Sequence, residues 1–499
     1  MANPLYDELF GHHANSDRVF LLLTDGTEIT YDAFLQMGAQ FANLTRQFGL
    51  NPGDRVAVQV EKSPQALALY AGCAQAGLVF LPLNTAYTAD ELDYFIENSG
   101  AALVICGDWA QSRLDPIVQR LGARLETLNA NGSGTITAQW QACDTTFDTV
   151  ARSADDLAAL LYTSGTTGRS KGAMLSQSNL ISNAKTLVQE WHFGSNDVLL
   201  HALPIFHTHG LFVATNVTLC AGSSMIFMPK FDCDQVIAHL PKATTMMGVP
   251  TFYTRLLDDS RFDADLTRHM RLFVSGSAPL LADTHVQFEQ RTGHKILERY
   301  GMTETNMNTS NPYHGDRRAG TVGFPLPGVE LKITDPQSGT ELGRDQVGQI
   351  EVKGPNVFQG YWNMPEKTAA ELRADGFFIT GDLGKVDADG YVHIVGRNKD
   401  LIISGGYNIY PKEIELIIDE QPGVAESAVI GVPHPDFGET VVAVVVAQSG
   451  ATVDVDHISA AVATSLARFK HPRLIDVVDE LPRNTMGKVQ KNILRDIYK

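Results

Sequence analysis

The 499-residue sequence is poor in cysteine, has no long uninterrupted apolar run, and carries fewer basic than acidic residues. Lysine and arginine number 39 against 57 aspartate and glutamate, a net charge of −18, which argues against a nucleic-acid partner or an anionic membrane surface. The scattered, odd set of cysteines indicates a reducing compartment and gives no support to a disulfide framework or a zinc site. These cysteines are Cys73, Cys106, Cys143, Cys220 and Cys233.

Signals for membrane insertion and export are weak as well. The N-terminus lacks the basic start and the apolar core of a signal peptide. The longest apolar stretch, residues 66–83, is interrupted by Gly72, Gln75, Gly77 and Pro82. It therefore predicts a buried helix followed by a strand rather than a membrane span. We expect no membrane association and a cytoplasmic location.

Short apolar strands alternate with helical stretches along most of the chain. Residues 55–60, 102–106 and 225–228 have strand patterns, whereas residues 89–98 and 283–292 have helical ones. This alternation predicts an α/β fold with several largely buried sheets. With 44% hydrophobic and 19% charged residues, a chain of this length is expected to form at least two globular domains.

The pattern changes near residue 397, where short strands with glycine turns give way to the charged tetrad Arg397-Asn398-Lys399-Asp400. The residues that follow read strand, helix, strand, strand, helix. We therefore predict a large N-terminal domain (1–396), a hinge (397–400) and a small, mobile α+β C-terminal domain (401–499). The alternative is that the tetrad is an ordinary surface loop within one domain.

The strongest local signal is the segment YTSGTTGRSKG at residues 162–172, which follows an apolar strand. Its glycines let backbone N–H groups approach an anion, its hydroxyl groups add donors, and Lys171 adds a point charge. It is not a Walker A motif, because Ser170 stands where that motif requires glycine. On composition alone, a flexible surface loop remains an alternative to a polyphosphate site.

Five further motifs follow this one: YGMTE at 300–304, TGD at 380–382, GRNKD at 396–400, SGGY at 404–407 and NTMGK at 484–488. Their order and spacing resemble those of the acyl-adenylate-forming superfamily, which includes acyl-CoA synthetases, peptide-synthetase adenylation domains and luciferases. Within it the chain is most similar to malonyl-CoA synthetases, through HALPIFHTHG at 201–210, SGSAPL at 275–280 and LERYGMTETNM at 297–307. The resemblance covers the chain from about residue 20 to its end.

The resemblance implies roles for the polar residues around ATP. Thr303 would hydrogen-bond the α-phosphate, and Glu304 would hold Mg²⁺, which favours oxygen ligands. Without the motif, Glu304 would be interpreted as a capping carboxylate at a helix start. The residues that would cradle the β- and γ-phosphates are Thr163, Ser164, Gly165, Thr166, Thr167, Gly168 and Lys171.

The adenosine moiety would be bound by a second group of residues. Tyr300 would offer its ring to adenine, although simple core packing is an alternative for this residue. Asp382 would accept hydrogen bonds from both ribose hydroxyls, with Arg397 as a nearby donor. The backbone beside adenine would come from Ser277, Ala278 and Gly301.

The resemblance implies two half-reactions, adenylation of the acid and then transfer of the acyl group to coenzyme A, and both would require groups from the C-terminal domain. The resemblance implies that Lys488 bridges the acyl carboxylate and the α-phosphate during adenylation, its long stem letting it swing in. The domain would then rotate about Lys399. The channel for the pantetheine arm of coenzyme A would be lined by Ser404, Gly405, Gly406 and Tyr407.

Arg299 is the residue that best indicates which class of carboxylic acid is the substrate. The position before the YGMTE motif borders the acyl pocket in the superfamily, and a buried arginine there would be costly beside an apolar chain. A second substrate carboxylate would satisfy it, which favours a short dicarboxylic acid. His207 and Ser277 are further candidate donors, and Thr208 and Met307 would limit the space at the α-carbon. The alternatives are an ion pair of Arg299 with Glu298 or another acid, and a weak metal pair at His207 and His209.

We therefore predict an AMP-forming malonate–CoA ligase that uses ATP, Mg²⁺ and coenzyme A. The alternatives are a synthetase for methylmalonate, succinate or acetate, a ligase acting on a carrier protein, and a nucleotide-binding sensor without ligase activity. Apart from small molecules, the one partner we expect is an acetyltransferase that acts on Lys488, since acetylation would remove its charge.

Overall fold

The computed structural model describes residues 3–163, 170–404, 407–483 and 488–499. Its internal contacts divide the chain into a first unit, Met1–Glu330 with Val352–Phe378, and a second unit, Leu331–Glu351 with Ile379–Lys499. The prediction of an α/β protein with a large N-terminal part and a smaller C-terminal part is confirmed. The division assigns residues 379–396 to the second unit. The role of residues 397–400 as a hinge stays a prediction.

The first unit contains two sheets. Its strands are β1 (Val19–Leu23), β2 (Glu28–Thr30), β3 (Arg55–Gln59), β4 (Val79–Pro82), β5 (Leu103–Cys106), β6 (Arg124–Thr127), β7 (Leu157–Thr163), β8 (Lys171–Ser176), β9 (Val198–His201), β10 (Ser224–Phe227), β11 (Thr245–Gly248), β12 (Leu272–Ser275), β13 (Leu297–Met302), β14 (Asn306–Ser310) and β15 (Phe324–Pro325). One sheet has nine strands in the order β15-β14-β13-β12-β11-β9-β10-β1-β2, and the other has six in the order β6-β5-β3-β4-β7-β8.

Helices connect these strands. They are α1 (Pro4–Leu9), α2 (Tyr31–Gln47), α3 (Pro64–Ala76), α4 (Ala89–Ser99), α5 (Asp108–Leu121), α6 (Thr137–Gln141), α7 (Gln177–Glu190), α8 (Asn216–Ala221), α9 (Cys233–His239), α10 (Pro250–Leu257), α11 (Ala264–Thr267), α12 (Ala282–Thr292) and α13 (Pro365–Glu371), with a π-helical segment, His209–Thr215, before α8. The helix and strand predicted in residues 66–83 are confirmed as α3 and β4. Among the described residues, no helix is long and apolar enough to cross a membrane.

Parallel pairing at the centre of the nine-stranded sheet positions several motifs at one edge. Strands β9, β11, β12 and β13 run parallel to their neighbours in that order. Parallel strands end at the same edge of a sheet, and ligands of open α/β sheets bind outside this carboxyl edge. The segments that leave this edge are residues 202–210 after β9 and 276–278 after β12, beside the end of β13.

The second unit contains a five-stranded sheet and a four-stranded sheet, β16-β17-β18-β19. In the four-stranded sheet, β16, β17 and β18 extend one or two residues past the unit boundary. Its elements are β16 (Glu330–Thr334), β17 (Gly348–Lys353), β18 (Phe378–Val386), β19 (Val392–Arg397), β20 (Ile402–Ser404), β21 (Tyr407–Ile409), α14 (Pro411–Asp419), β22 (Val424–His434), β23 (Gly438–Ala447), α15 (Val455–Ser465), β24 (Leu474–Val478) and α16 (Lys491–Ile497).

The five-stranded sheet, β21-β20-β23-β22 with β24 beside β23, is covered on both faces. Successive residues of a strand point to opposite faces. Val441 and Ala443 accordingly pack with α14 and α15, whereas Val442 and Val444 pack with Leu494 of α16. The sequence pattern missed β21, β24 and α16, because each is only three to seven residues long.

Candidate active site

The predicted phosphate loop connects two antiparallel strands of the six-stranded sheet. Strand β7 ends at Thr163 and β8 begins at Lys171, and these two residues are register partners. The apolar residues of both strands are buried, which holds the two ends of the loop together. Ser164, Gly165, Thr166, Thr167 and Gly168 lie outside the described residues.

Lys171 contacts a carboxylate and a phenol that the sequence did not predict. Its Nζ lies 3.1 Å from Glu371 Oε2 and 3.1 Å from the Tyr361 hydroxyl, and 4.2 Å from the centre of the Tyr361 ring. Burial opposes ionisation of Glu371, but Lys367, Tyr361 and Lys171 together lower its pKa below the usual value. Lys171 is therefore a paired cation.

Tyr361 links this pair to the predicted magnesium ligand. Its hydroxyl lies 2.7 Å from Glu371 Oε2 and 3.1 Å from Glu304 Oε1. Burial first, and then the charge of Glu304, raise the pKa of Tyr361, so the phenol keeps its proton. Glu304 is buried in a turn between β13 and β14, so its interpretation as a helix cap is wrong. The structure thus brings Lys171 and Glu304 into one network.

The predicted adenine and α-phosphate residues lie at the end of β13 and in the following turn. Tyr300 and Thr303 are half-buried, and the Tyr300 ring is not part of the buried core. A Cβ on Gly301 would come within 1.8 Å of the Asn306 carbonyl oxygen and 2.6 Å of Met307 Cε. Position 301 therefore requires glycine, and Met307 packs directly against it.

The residues after β12 lie beside Arg299 and His209 within the first unit. The guanidinium of Arg299 lies over Gly276, where a Cβ would come within 2.3 Å of Cζ. Ser277 has a left-handed backbone, φ +70°, which is unusual for a residue with a side chain. Its Oγ lies 3.2 Å from His209 Nδ1, so the strained backbone aims the hydroxyl at the histidine loop. Ala278 is exposed at the rim.

Arg299 is a buried cation, 4% exposed, and no carboxylate among the described residues forms an ion pair with it. Its Nε and Nη2 have no hydrogen-bond partner there. The predicted alternative, a pair with Glu298, is wrong, because Glu298 instead contacts His285 at 3.2 Å. Burial lowers the pKa of Arg299 to about 9. An unpaired cation of this kind indicates a ligand that carries negative charge.

Histidines and a threonine surround this arginine. His209 and Thr208 are buried, and His209 Nε2 and Thr208 Oγ1 also lack partners among the described residues. Burial, then the charges of Arg299 and two further histidines, lower the pKa of His209, so it is neutral. His207 is half-buried, and its Nδ1 accepts a hydrogen bond from the His209 backbone N–H at 3.3 Å. This cluster thus combines a buried positive charge with polar groups that lack partners among the described residues.

In the second unit the two predicted ribose residues contact each other. Asp382 and Arg397 are register partners on β18 and β19, and Arg397 Nε lies 2.7 Å from Asp382 Oδ1. The Asp382 side chain is buried, whereas the Arg397 side chain is 41% exposed. The hydroxyl of Thr380 accepts the Asp382 backbone N–H at 3.1 Å, a local bond within β18.

The predicted hinge and channel residues follow directly. Lys399 lies in a single turn of 3₁₀ helix, and burial lowers its pKa below the usual value. Ser404 and Tyr407 are register partners on β20 and β21, and the Tyr407 ring stacks on Phe469 at 4.6 Å. Gly405 and Gly406 lie outside the described residues.

Lys488 is exposed and lies beside a backbone bridge between Arg483 and Val489. Four basic residues from position 470 onward form ion pairs within the second unit. These pairs are Lys470–Glu413, Arg483–Glu426, Lys491–Glu415 and Arg495–Asp400.

Comparison with known proteins assigns the chain to a family. The family model described as AMP-binding enzyme matches residues 11–362, and the model of the AMP-binding enzyme C-terminal domain matches residues 413–488. The chain belongs to the AMP-binding enzyme family. The predicted hinge, residues 397–400, falls in the interval between the two matched regions.

Relatives in this family activate different acids. The chain is similar to the ATP-bound crystal structure of MatB from Rhodopseudomonas palustris, with 57% identity, a TM-score of 0.97, and coverage of 100% of this chain and 99% of that chain. It is 36% identical to malonate–CoA ligase from Arabidopsis thaliana over 92% of this chain and 80% of the relative. It is also 37% identical to feruloyl-CoA synthase from an Amycolatopsis species, over 94% of each. The family membership makes this chain an AMP-forming acyl-CoA synthetase, with ATP and coenzyme A as substrates.

Sequence reasoning missed two residues that contact Lys171, the predicted phosphate-binding lysine. Tyr361 and Glu371 contact Lys171 although they lie 190 and 200 positions away in the chain. Neither residue stands in a motif that the sequence analysis singled out. The proximity of these residues to Lys171 can be seen only in the fold. There the segment leading to α13 pairs with β8 through a hydrogen bond from the Met174 backbone N–H to the Gly360 carbonyl.

Proposed function

We propose that this AMP-binding enzyme is a malonate–CoA ligase. A malonate carboxylate oxygen bonds to the α-phosphorus of ATP and pyrophosphate leaves, giving malonyl-adenylate. The thiol sulfur of coenzyme A then bonds to the acyl carbon, AMP leaves with the former anhydride oxygen, and the thiol proton passes to solvent. The attacking carboxylate is already an anion, so adenylation depends on alignment and charge neutralisation rather than on a general base.

The observation that supports the choice of acid is the buried Arg299 without a carboxylate partner among the described residues. Leaving such a charge unpaired costs several kcal/mol. A second carboxylate on the substrate would accept bidentate, charge-assisted hydrogen bonds from its guanidinium. His207 and Ser277 would add donors, and Thr208 and Met307 would bound the space beside the α-carbon. The malonate–CoA ligase of Arabidopsis thaliana is one of the relatives that support this choice.

The nucleotide side follows from the network around Tyr361. Lys171, with the backbone and hydroxyls of residues 163–168, would bind the β- and γ-phosphates, and Thr303 would hydrogen-bond the α-phosphate. Glu304 would suit a magnesium site, since it is a buried carboxylate in the motif that would face the phosphates. Magnesium takes its other ligands from phosphate and water in such sites, and it would neutralise phosphate charge.

The adenosine and the second half-reaction complete the proposal. Tyr300 would pack on adenine beside Gly301 and residues 277–278, and Asp382 and Arg397 would bind the ribose. Lys488 would neutralise charge between the carboxylate and the α-phosphate. Rotation of the segment after residue 400 about Lys399 would then bring residues 404–407 to the thiol of coenzyme A.

Regulation by acetylation is part of the same proposal. Lys488 is exposed, so an acetyltransferase could reach its ammonium group. Acetylation would remove the charge that adenylation needs. We also propose a cytoplasmic location, which the acidic composition and the scattered cysteines support.

The test is AMP release with coenzyme A across two- to five-carbon mono- and dicarboxylates, measured for the wild-type enzyme and for Arg299→Ala. The wild-type enzyme is expected to use malonate best, and the variant to lose diacids far more than monoacids. Acid-dependent exchange of pyrophosphate into ATP separates a ligase from a nucleotide-binding sensor, which gives no exchange. A wild-type enzyme that prefers monocarboxylates contradicts the proposed substrate.

A further inference from the structure

Lys62 lies in the loop between β3 and α3 and reaches a segment 139 residues away. Its Nζ lies 2.9 Å from His201 Nδ1, 2.8 Å from the His201 carbonyl oxygen and 2.9 Å from the Leu203 carbonyl oxygen. An ammonium group has three N–H donors, and a neutral amine has two. Burial lowers the pKa of Lys62, but three acceptors match the charged form, and the ring of Phe227, 4.3 Å away, adds a cation–π contact.

These contacts fix the protonation of His201. Its Nδ1 accepts from Lys62, so the ring proton is on Nε2, which lies 2.9 Å from the Gly210 carbonyl oxygen and donates to it. The Thr215 hydroxyl donates to the same carbonyl at 3.0 Å. His201 is buried, and burial together with the charge of Lys62 lowers its pKa, so the neutral ring keeps this arrangement.

The result is a segment, residues 201–210, that is tied at both ends. Lys62 holds the backbone at residues 201 and 203, and His201 holds it at Gly210. The closure is tight, because a Cβ on Gly210 would come within 2.0 Å of the Pro204 carbonyl oxygen. Between the tied ends the segment carries His207, Thr208 and His209, and His209 contacts Ser277 across the pocket.

We propose that Lys62 is a positioning residue that fixes the segment 201–210 and thereby sets the selectivity of the acyl pocket for short dicarboxylic acids. This role rests on the proposed function. Lys62 does not bind the acid itself, because its three donors are already used within the protein. It acts through His201 and the backbone of the segment that carries the pocket residues.

The test compares Lys62→Met, which keeps the stem and removes the ammonium group, with the wild-type enzyme. We expect the KM for malonate to rise by about tenfold, the effect of losing charged hydrogen bonds, with the KM for ATP changed by less than about twofold. The ratio of kcat/KM for malonate over acetate is expected to fall by a similar factor. A purely structural lysine would lower the melting temperature and the active fraction and leave this ratio unchanged.

Two further variants keep the test decisive. Arg271 directly precedes β12 and pairs with Asp197, so it lies at the end of β12 opposite to Ser277. Arg271→Met should therefore lower stability and leave the malonate-to-acetate ratio unchanged. Thr215→Val removes one hydrogen bond to the Gly210 carbonyl and retains every charge, so it decides the question if Lys62→Met does not fold. We expect it to lower the malonate-to-acetate ratio by about two- to fivefold.

Unchanged acid selection in a folded Lys62→Met, or in Thr215→Val if the first variant does not fold, overturns the positioning role while the proposed function stands. A wild-type enzyme that forms no malonyl-adenylate overturns the proposed function and this role with it.

Discussion

Two cations of the first unit face opposite situations. Lys171 lies 3.1 Å from Glu371, and Lys367 lies 2.7 Å from the same carboxylate. Arg299 is more deeply buried, yet it has no carboxylate partner among the described residues. The protein supplies the counter-charge of Lys171, whereas no described carboxylate supplies one for Arg299, and under the proposed function the acid would supply it. This difference is consistent with the proposal that Arg299 binds the acid and Lys171 binds phosphate.

The two arrangements also differ in what binding changes. A phosphate that approaches Lys171 competes with an existing ion pair, so part of the interaction is exchanged rather than gained. A carboxylate that approaches Arg299 fills open hydrogen-bonding positions in a buried site, where charge-assisted bonds are strongest. Selectivity for the acid is therefore expected to depend on Arg299 far more than nucleotide affinity depends on any one partner of Lys171.

The largest effect is expected for Lys488→Ala, which extends the comparison to an exposed cation that would act only in the transition state. Loss of the ammonium should slow adenylation by about 10²–10³-fold, the range for a removed transition-state donor. Thiolysis of pre-formed malonyl-adenylate should be largely spared. Pyrophosphate exchange and single-turnover thiolysis measure the two steps separately.

Lys491→Ala is the matched control for Lys488, because this nearby lysine pairs with Glu415. It should leave adenylation within about threefold of the wild-type rate, as expected for one structural ion pair. Equal loss of both half-reactions in Lys488→Ala would contradict its role in adenylation.

A smaller effect is expected for Glu371→Gln, which removes the carboxylate partner of Lys171. With its competitor neutralised, Lys171 should bind phosphate more readily, lowering the KM for ATP by about two- to fivefold. The KM for malonate should not change, because Arg299 is not part of this network. Steady-state kinetics with each substrate varied in turn measure both constants, and a shift in the malonate KM would break the comparison.

The smallest effect on turnover is expected in the second unit, where Asp419 shows what burial does to a paired charge. Lys412 lies 3.7 Å away and the Ser427 hydroxyl donates at 2.6 Å, yet burial raises the pKa of Asp419 to about 6. A carboxyl whose pKa is higher in the folded state stabilises folding below its unfolded pKa. That contribution is lost as the pH rises through about 4 to 6.

Asp419→Asn should therefore leave activity unchanged and raise the free energy of unfolding at pH 7 by about 1–2 kcal/mol relative to the wild-type protein. The pH dependence between 4 and 6 should become flatter. Denaturant unfolding at pH 5 and pH 7 measures this, with the exposed Asp436→Asn as control. A destabilised Asp419→Asn at pH 7 would show that the ion pair outweighs the burial.

The sequence predicted much of this arrangement and failed at identifiable points. The strand before the phosphate loop follows from a local apolar pattern, whereas the roles expected of the motif at the end of β13 and of Arg299 come from the family resemblance. The pairing of Glu298 with His285 was not predictable, since neighbouring strand residues point to opposite faces and the partner lies on α12.

Longer-range contacts were out of reach for the same reason. Glu371, Tyr361 and Lys62 each act through partners more than a hundred positions away, so no window of sequence contains both halves of the interaction. Helix α16 is short and more than half of its residues are polar, and its packing depends on Leu494 meeting a sheet face formed by distant strands. Sequence patterns predict helices and strands, whereas the two partners of an ion pair are brought together only by the fold.

The most direct test measures the coupling between Arg299 and the second carboxylate. kcat/KM is determined for malonate and for its monomethyl ester, which retains the reacting carboxylate and removes the second charge, in the wild-type enzyme and in Arg299→Ala. The wild-type enzyme should prefer malonate by about 10²–10³-fold, and the variant should show a preference near one. A preference for malonate that survives in Arg299→Ala would contradict the assignment of this arginine to the acid.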